Sequence, residues 1–346
     1  MKKTLYIHIG TGKTGTTAIQ NFCALNAKSL AEDHDLLYAR VCRKNNNHHA
    51  TCINWFRENR NDSSVIDEVS RNIEEVVDEV FSSNCNNALI SSEYFPGVTR
   101  SEIENIYFSK LSSRVNVKII AYLRRQDEYL ESWFAQLVKT TKPDADIYNL
   151  MSELRRSKLL DHDHLLGKWA EFFGKGSILA RPYERRQFKR ENLLYDFLSI
   201  FGIEQFERFS FEEKDANVSL SRDQIVLIKA FYNAGLERFV DDVVRKPFDF
   251  DTSSSRYFLS PSEREALIEE FSASNEAVAR EYLKREDGRL FCDPLPSVSD
   301  KGWTTAEHPA PEYLLRTFTH LLSKQRIHFS KEIEALRKDI ENLKVK

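Results

Sequence analysis

No run of apolar residues in this 346-residue chain approaches the ~18 that a membrane-spanning helix needs. The start, Met1-Lys2-Lys3-Thr4, reaches Gly10 after only a few apolar positions, so it has neither the apolar stretch nor the cleavage pattern of a secretory leader. A cytoplasmic protein without a transmembrane segment is therefore expected. Cysteine is sparse: Cys23, Cys42, Cys52, Cys85 and Cys292 are odd in number and include no C-x-x-C pair, which argues for reduced thiols over a disulfide framework. Cys42, His48, His49 and Cys52 lack the usual metal-ligand spacing and lie beside Asn45-Asn46-Asn47, as in a polar loop, so no metal is expected. Neither sign of charge dominates: 50 Lys+Arg against 53 Asp+Glu leave a formal charge of -3. Arg155-Arg156 and Arg185-Arg186 are isolated pairs, not a basic stripe, so nucleic acid is not an expected partner, although a local basic cleft for a small polyanion stays open. Repeats and low-complexity tracts are also absent, and 41% hydrophobic with 12% aromatic residues is the balance of a packed globular protein.

The hydrophobic pattern alternates between the strand and the helix period. Thr4-Leu5-Tyr6-Ile7-His8-Ile9 is a buried strand, and residues 16–30, with Ile19, Phe22 and Leu30, form a helix. Ile66, Val69, Ile73, Val76, Val77 and Val80 recur at steps of three and four, marking an amphipathic helix before a second strand at Ala88-Leu89-Ile90. A third strand covers 117–123, followed by a helix carrying Tyr129, Leu130, Trp133, Phe134, Leu137 and Val138 and ended before Lys142-Pro143. Leu165, Leu166, Trp169, Phe172 and Phe173 mark another helix, and Ser177-Ile178-Leu179-Ala180 a fourth strand. Beyond residue 210 helices are expected over 225–239 and 266–282, the second opened by the cap Ser260-Pro261-Ser262-Glu263. Residues 293–311 hold four prolines and form an irregular connection, and Ile333, Leu336, Ile340 and Leu343 make a heptad-like stripe.

Such alternation implies an α/β fold, a P-loop-like parallel sheet flanked by helices with a helical C-terminal extension. The length admits about two domains at ~150 residues each. A single α/β domain over 1–330 is preferred, with a core at 1–210, a mainly helical remainder at 211–330 and a short amphipathic helix at 331–346. Helices with two heptads dock on their own domain or pair with a second copy, so a homodimer through this segment is one expectation. In parallel sheets the ligand site gathers at the carboxyl ends of the strands. Gly10-Thr11-Gly12-Lys13-Thr14-Gly15, Ser92-Glu93, Arg124-Arg125 and Arg181 all follow strands and so fall on that edge.

The glycine-rich loop is the most informative of these. Gly10, Gly12 and Gly15 let the backbone turn tightly and aim its amides, while the following helix directs its N-terminus at the same point, a seat for phosphate or sulfate. Lys13 adds a mobile cation, and Thr14, Thr16 and Thr17 add hydroxyl donors. A mononucleotide loop, G-x-x-x-x-G-K-[ST], would need glycine at position 7, which is Ile7. No strand ends in an aspartate suited to magnesium. A dinucleotide fingerprint matches Gly10, Gly12 and Gly15 literally, but its acidic ribose ligand would fall near Glu32 or Asp33, before any second strand.

Lys13-Thr14-Gly15-Thr16-Thr17 resembles the 5′-phosphosulfate loop, Lys-(Ser/Thr)-Gly-Thr-Thr, of the sulfotransferases that use 3′-phosphoadenosine 5′-phosphosulfate. In that family a strand-ending arginine and a serine eight residues later hold the 3′-phosphate, and Arg124 and Ser132 have this separation. Ser92-Glu93-Tyr94-Phe95 and Arg181-Pro182-Tyr183-Glu184 look like elements of bacterial and Golgi-type carbohydrate sulfotransferases. The Arg-Lys-Gly loop that cytosolic members place on the 3′-phosphate has no copy here, Lys301-Gly302-Trp303 being too weak a substitute.

The resemblance implies transfer of a sulfuryl group to an acceptor hydroxyl on a carbohydrate or glycan, releasing 3′-phosphoadenosine 5′-phosphate, without a required metal. It places Gly12, Lys13, Thr14, Gly15, Thr16 and Thr17 at the 5′ end of the nucleotide and Arg124 with Ser132 at the 3′ end, with Arg181, Asn217 and Ser219 as further cofactor contacts. Lys13 would stabilise the leaving oxygen and Glu93 would act as base, with His8 the second candidate. Each has a structural alternative: Glu93 in a salt bridge to Arg124 or Arg181, and His8 as a satisfied core residue. A P-loop nucleotide kinase, or a nucleotide-binding protein without catalysis, would use a similar loop.

Overall fold

The computed structural model describes residues 2–140, 142–211, 220–240, 256–300, 302–305 and 311–344. Five parallel strands form one sheet: β1 (Thr4–His8), β2 (Leu36–Tyr38), β3 (Asn87–Ser91), β4 (Asn116–Leu123) and β5 (Ile178–Pro182), in the spatial order β2-β3-β1-β4-β5. The helices are α1 (Thr16–Leu25), α2 (Ala27–His34), α3 (Ser63–Ser82), α4 (Gln126–Thr140), α5 (Ile147–Arg156), α6 (His162–Phe173), α7 (Leu193–Ser199), α8 (Arg222–Asn233), α9 (Pro261–Glu270), α10 (Ser272–Glu281) and α11 (Pro311–Lys344). This is the expected α/β architecture, a parallel sheet flanked by helices with a long helical C-terminal region.

Side chains alternate along a strand and helices cover both faces, so β3 and β4 bury both sets of residues along most of their length, while β5 leaves Leu179 and Arg181 partly exposed. Leu5, Ile7, Ala88, Ile90, Ile119 and Ala121 pack with the apolar stripe of α3 and with Leu165, Leu166 and Trp169 of α6. Leu89, Ile120 and Tyr122 pack with Ile19 and Phe22 of α1 and with Phe197 and Leu198 of α7. After β3 the chain passes across β1 to form β4, so β1 lies between strands whose connections run to opposite sides. That reversal opens a crevice at the carboxyl end of β1, where open parallel sheets hold their ligands.

The described chain divides into two compact units, one formed by the described residues of 1–130, 148–217 and 264–295, the other by those of 131–147, 218–263 and 296–346. The first holds the whole sheet. In the second, Phe134 meets Phe258 edge to face at 4.8 Å, and Glu131 Oε1 accepts from the amides of Phe258 and Leu259, each at 2.9 Å. The cap at Ser260 forms as its sequence implies: the Ser260 amide donates to Glu263, and the Glu263 amide to Ser260 Oγ. Of the amphipathic segment expected over 331–346, the described residues 331–344 are the last part of the 34-residue helix α11, which starts at Pro311.

Four further elements differ from the expectation. The helix expected over 266–282 is two, α9 and α10, with Phe271 between them. Strand β2 has only three residues, too few for a periodic signal. The helix expected over 16–30 is two, α1 and α2, because the Asn26 side chain donates to Phe22 O and Ser210 O and accepts from the Ser210 amide. The segment 225–239 ends its α-helix at Asn233, before Ala234-Gly235, and only a short 3-10 turn follows at Glu237–Phe239.

Candidate active site

The glycine-rich loop closes over the end of β1. Two tyrosine backbone groups clamp it to β4: Thr11 donates its amide to Tyr122 O at 3.0 Å, and Tyr122 donates its own to Gly10 O at 2.7 Å. Inside the loop the Thr11 carbonyl is the hub, accepting the hydroxyls of Thr14 at 2.6 Å and Thr16 at 3.1 Å. Two of the three threonines in the motif thus spend their hydroxyl protons shaping the loop, while Thr17 faces solvent. Gly15, in the left-handed region at φ 74°, precedes α1, and no side chain caps that helix among the described residues. An uncapped N-terminus leaves its first amides aimed toward the loop, with the positive end of the helix dipole behind them.

Glycine is required at two places. A Cβ on Gly10, at φ 92°, would meet the Glu93 Cα at 3.3 Å, so the backbone of Glu93 lies directly against the loop. A Cβ on Gly15 would collide with Leu193 at 2.3 Å and touch the Tyr183 ring at 3.5 Å.

Glu93 follows β3 and is half-buried beside Lys13. Burial raises its carboxyl pKa, and the positive charge of Lys13 works against that rise. Arg124, at the end of β4, donates through Nη1 to the Lys13 carbonyl at 3.1 Å and through Nη2 to Glu128 at 2.9 Å, and it lies over the Tyr183 ring at 5.6 Å. The loop, Glu93 and Arg124 therefore meet at the head of β1. The salt-bridge alternative for Glu93 does not form: Arg124 pairs with Glu128 and Arg181 with Asp196, the latter at 3.8 Å, and among the described residues neither pairs with Glu93.

The two adjacent arginines have different environments. Arg125 is buried in a bidentate pair with Asp127, which also receives Arg264, while Arg124 keeps its guanidinium at the loop. His8 lies wholly inside the sheet, with Nδ1 2.8 Å from Ser91 Oγ and its ring edge-on to Phe197, and burial pushes its imidazole down to about 3. Ser132 sits in the second turn of α4, in the part of that helix belonging to the second unit. Asn217 and Ser219 lie outside the described residues.

Sequence reasoning passed over Tyr183 as a loop contact, although its place directly after β5 puts it on the ligand edge. Trp55 has no motif to mark it, while His49 enters the sequence reading only among possible metal ligands and Tyr94 only within Ser92-Glu93-Tyr94-Phe95. Of the histidine pair weighed for metal, His48 is buried with Nε2 2.9 Å from the Ala39 carbonyl, and His49 Nδ1 lies 2.8 Å from Ser92 Oγ. Among the described residues no helix is long and apolar enough to cross a membrane.

Fold and site together define an α/β protein with a glycine-rich loop at the head of a parallel sheet. No protein-family model matches the chain. Over 202 residues it is 33% identical to an uncharacterized protein of Archaeoglobus fulgidus, a match covering 56% of this chain and 53% of that one. The chain thus spans about half the length of the curated relative it matches. Among solved structures it has a weak likeness to a sulfotransferase from Alicyclobacillus acidocaldarius, with 14% identity and a TM-score of 0.39, over 70% of this chain and 98% of that one.

Proposed function

We propose that the chain is a cytoplasmic sulfotransferase that takes 3′-phosphoadenosine 5′-phosphosulfate as donor substrate and an acceptor hydroxyl, on a carbohydrate or glycan, as second substrate. The observation that carries this reading is the meeting of Lys13 with Arg124 and Glu93 at the head of β1. Two cations and a carboxylate at one uncapped helix start are what transfer between a phosphate-bearing donor and a hydroxyl requires. The acceptor oxygen would bond to sulfur as the bond from sulfur to the 5′-phosphate oxygen breaks. The electron pair leaves on that oxygen beside Lys13, and the acceptor proton passes to the Glu93 carboxylate. Gly12, Thr14, Gly15, Thr16 and Thr17 shape or line the 5′ site. Arg124, with Ser132 eight residues on, is proposed for the 3′-phosphate. Arg181, Asn217 and Ser219 are proposed as lesser nucleotide contacts, and no metal is required. Glu93 is preferred to His8 as base because the imidazole is sealed in the sheet and held neutral.

Calorimetric titration tests the reading directly: 3′,5′-bisphosphorylated adenosine should bind without added magnesium and at least tenfold more tightly than adenosine 5′-monophosphate or ATP. Equal affinity for the monophosphate would refute it, and magnesium-dependent ATP turnover would favour the kinase. Lys13→Ala should lower sulfate transfer by about 10²–10³-fold, the loss of one preorganised charge-stabilising donor. Near-normal turnover would remove Lys13 from the chemistry.

The same proposal includes a homodimer through α11. Leu315, Phe318, Leu322, Phe329, Ile333, Leu336 and Ile340 follow one another at mostly three- and four-residue steps, and each is 47–68% exposed. With Phe329 and Leu336 facing a second copy, parallel pairing sets Glu332 of one helix against Arg337 of the other, whereas antiparallel pairing would bring like charges together.

A further inference from the structure

Beside Glu93 stands a cluster of three rings that the proposed chemistry leaves unused. Trp55 lies in the 3-10 segment Ile53–Asn61, His49 in the turn His49–Thr51, and Tyr94 directly follows Glu93. Their centroids are mutually close: His49–Trp55 4.9 Å, His49–Tyr94 4.7 Å and Trp55–Tyr94 4.9 Å. The arrangement is held from below. His49 Nδ1 and the Tyr94 amide both engage Ser92 Oγ, and Asn54, next to Trp55, donates to the Tyr94 carbonyl while accepting from Arg60. Despite this fixation Trp55 is 42% exposed. A large ring held rigidly yet left open to water contributes little to the core and is a surface prepared for a ligand.

The chemistry of the platform narrows the ligand. Burial holds the His49 imidazole down to about 4, so the cluster is uncharged at neutral pH. The nearby Arg60 is paired with Glu102. Tyr94 stands at 79° to His49 and 76° to Trp55, so the rings share no plane and the exposed indole of Trp55 is the surface offered to water. A single exposed ring covers only one side of its ligand, whereas a phenol needs a slot on both faces to bury most of its surface. A pyranose with equatorial hydroxyls suits such a ring, because it can lay its apolar C–H face on an indole and leave its hydroxyls in water. From this geometry we infer that Trp55, His49 and Tyr94 form an acceptor subsite for a neutral, β-linked, gluco-configured sugar chain, which presents one hydroxyl to Glu93. This inference rests on the proposed sulfuryl transfer for its role, but not for the binding itself.

The test uses full-length protein labelled with 5-fluorotryptophan, whose four tryptophans give four fluorine resonances, that of Trp55 assigned by Trp55→Phe. Cellotetraose and chitotetraose are the probes, each titrated with and without 3′-phosphoadenosine 5′-phosphate. A saturable shift confined to the Trp55 resonance with either sugar is expected. Trp55→Ala should weaken that sugar at least tenfold, read by calorimetry, with nucleotide affinity unchanged and the other three resonances in place. No shift at Trp55 with either sugar, or a shift produced by p-nitrophenol instead, overturns the subsite. Sugar binding at Trp55 in a protein that ignores the bisphosphorylated nucleotide would retain the subsite and refute the transfer reaction.

Discussion

Asp127→Asn is the sharpest structural perturbation near the candidate site. Asp127 is fully buried at the start of α4, three residues after Arg124. Its carboxylate accepts Arg125 Nε at 2.8 Å and Nη2 at 3.0 Å, and Arg264 Nε at 3.0 Å and Nη2 at 2.8 Å. Two guanidinium groups that are almost as inaccessible as Asp127 thus share its carboxylate, and Glu128 and Glu184 add to the negative field at Arg125. The net worth of such a set against an apolar one is small, because desolvation offsets the attraction, but deleting one partner strands the other charges at a cost of about 3–5 kcal/mol. A loss within that range is expected for Asp127→Asn. Removing one of the stranded cations as well, in Asp127→Asn/Arg264→Met, should leave the protein at least ~1 kcal/mol more stable than the sum of the single losses implies. Urea unfolding followed by circular dichroism and by Trp169, which is buried in the same unit, measures both quantities. A loss below about 1 kcal/mol, the range of solvated surface pairs, would refute the buried triad.

Other outcomes follow from the loop, the base and the long helix. Gly15→Ala should cost about 1–2 kcal/mol for the left-handed backbone and roughly 1 kcal/mol more for displacing Leu193, whose methyl end can rotate away. In a Leu193→Ala background only the backbone cost should remain, and equal losses in both backgrounds by thermal unfolding would contradict the contact. Since a base must be deprotonated and burial raises the Glu93 pKa, the acid limb of the transfer rate should lie at higher pH than for a solvated glutamate. Lys13→Met removes the opposing charge and should move the limb higher still, so a pH–rate profile with an unmoved limb would dissociate the two residues. Glu93→Gln should abolish transfer while keeping nucleotide affinity by calorimetry, and retained turnover would exclude it as base. Leu336→Lys should convert a dimer to a monomer in sedimentation equilibrium, and an unchanged mass would rule out pairing through α11.

Much of the sheet is legible in the sequence because β1, β3, β4 and β5 appear as short apolar runs bounded by polar loops. Strand β2 is not, since Leu36–Tyr38 is too short to show a period. The break at Asn26 is equally hidden, because the group that stops α1 bonds to Ser210, far along the chain. At the site, the loop motif showed where an anion could sit. It could not show that the Thr14 and Thr16 hydroxyls turn inward to Thr11, nor that Arg124 and Arg125 divide between loop and core. Arg125 is drawn inward in part by the carbonyls of Asp293 and Pro294, contacts spanning well over a hundred residues. The aromatic cluster escaped for the same reason, since His49, Trp55 and Tyr94 come from three separate segments.

The bond from Arg124 to the main chain of Lys13 ties the end of β4 to the tip of the glycine loop. In the proposed reaction one guanidinium is therefore shared by two recognition tasks. A substitution chosen to retune either pole of a bound nucleotide would be felt at the opposite pole, so selectivity at the two poles has to change together.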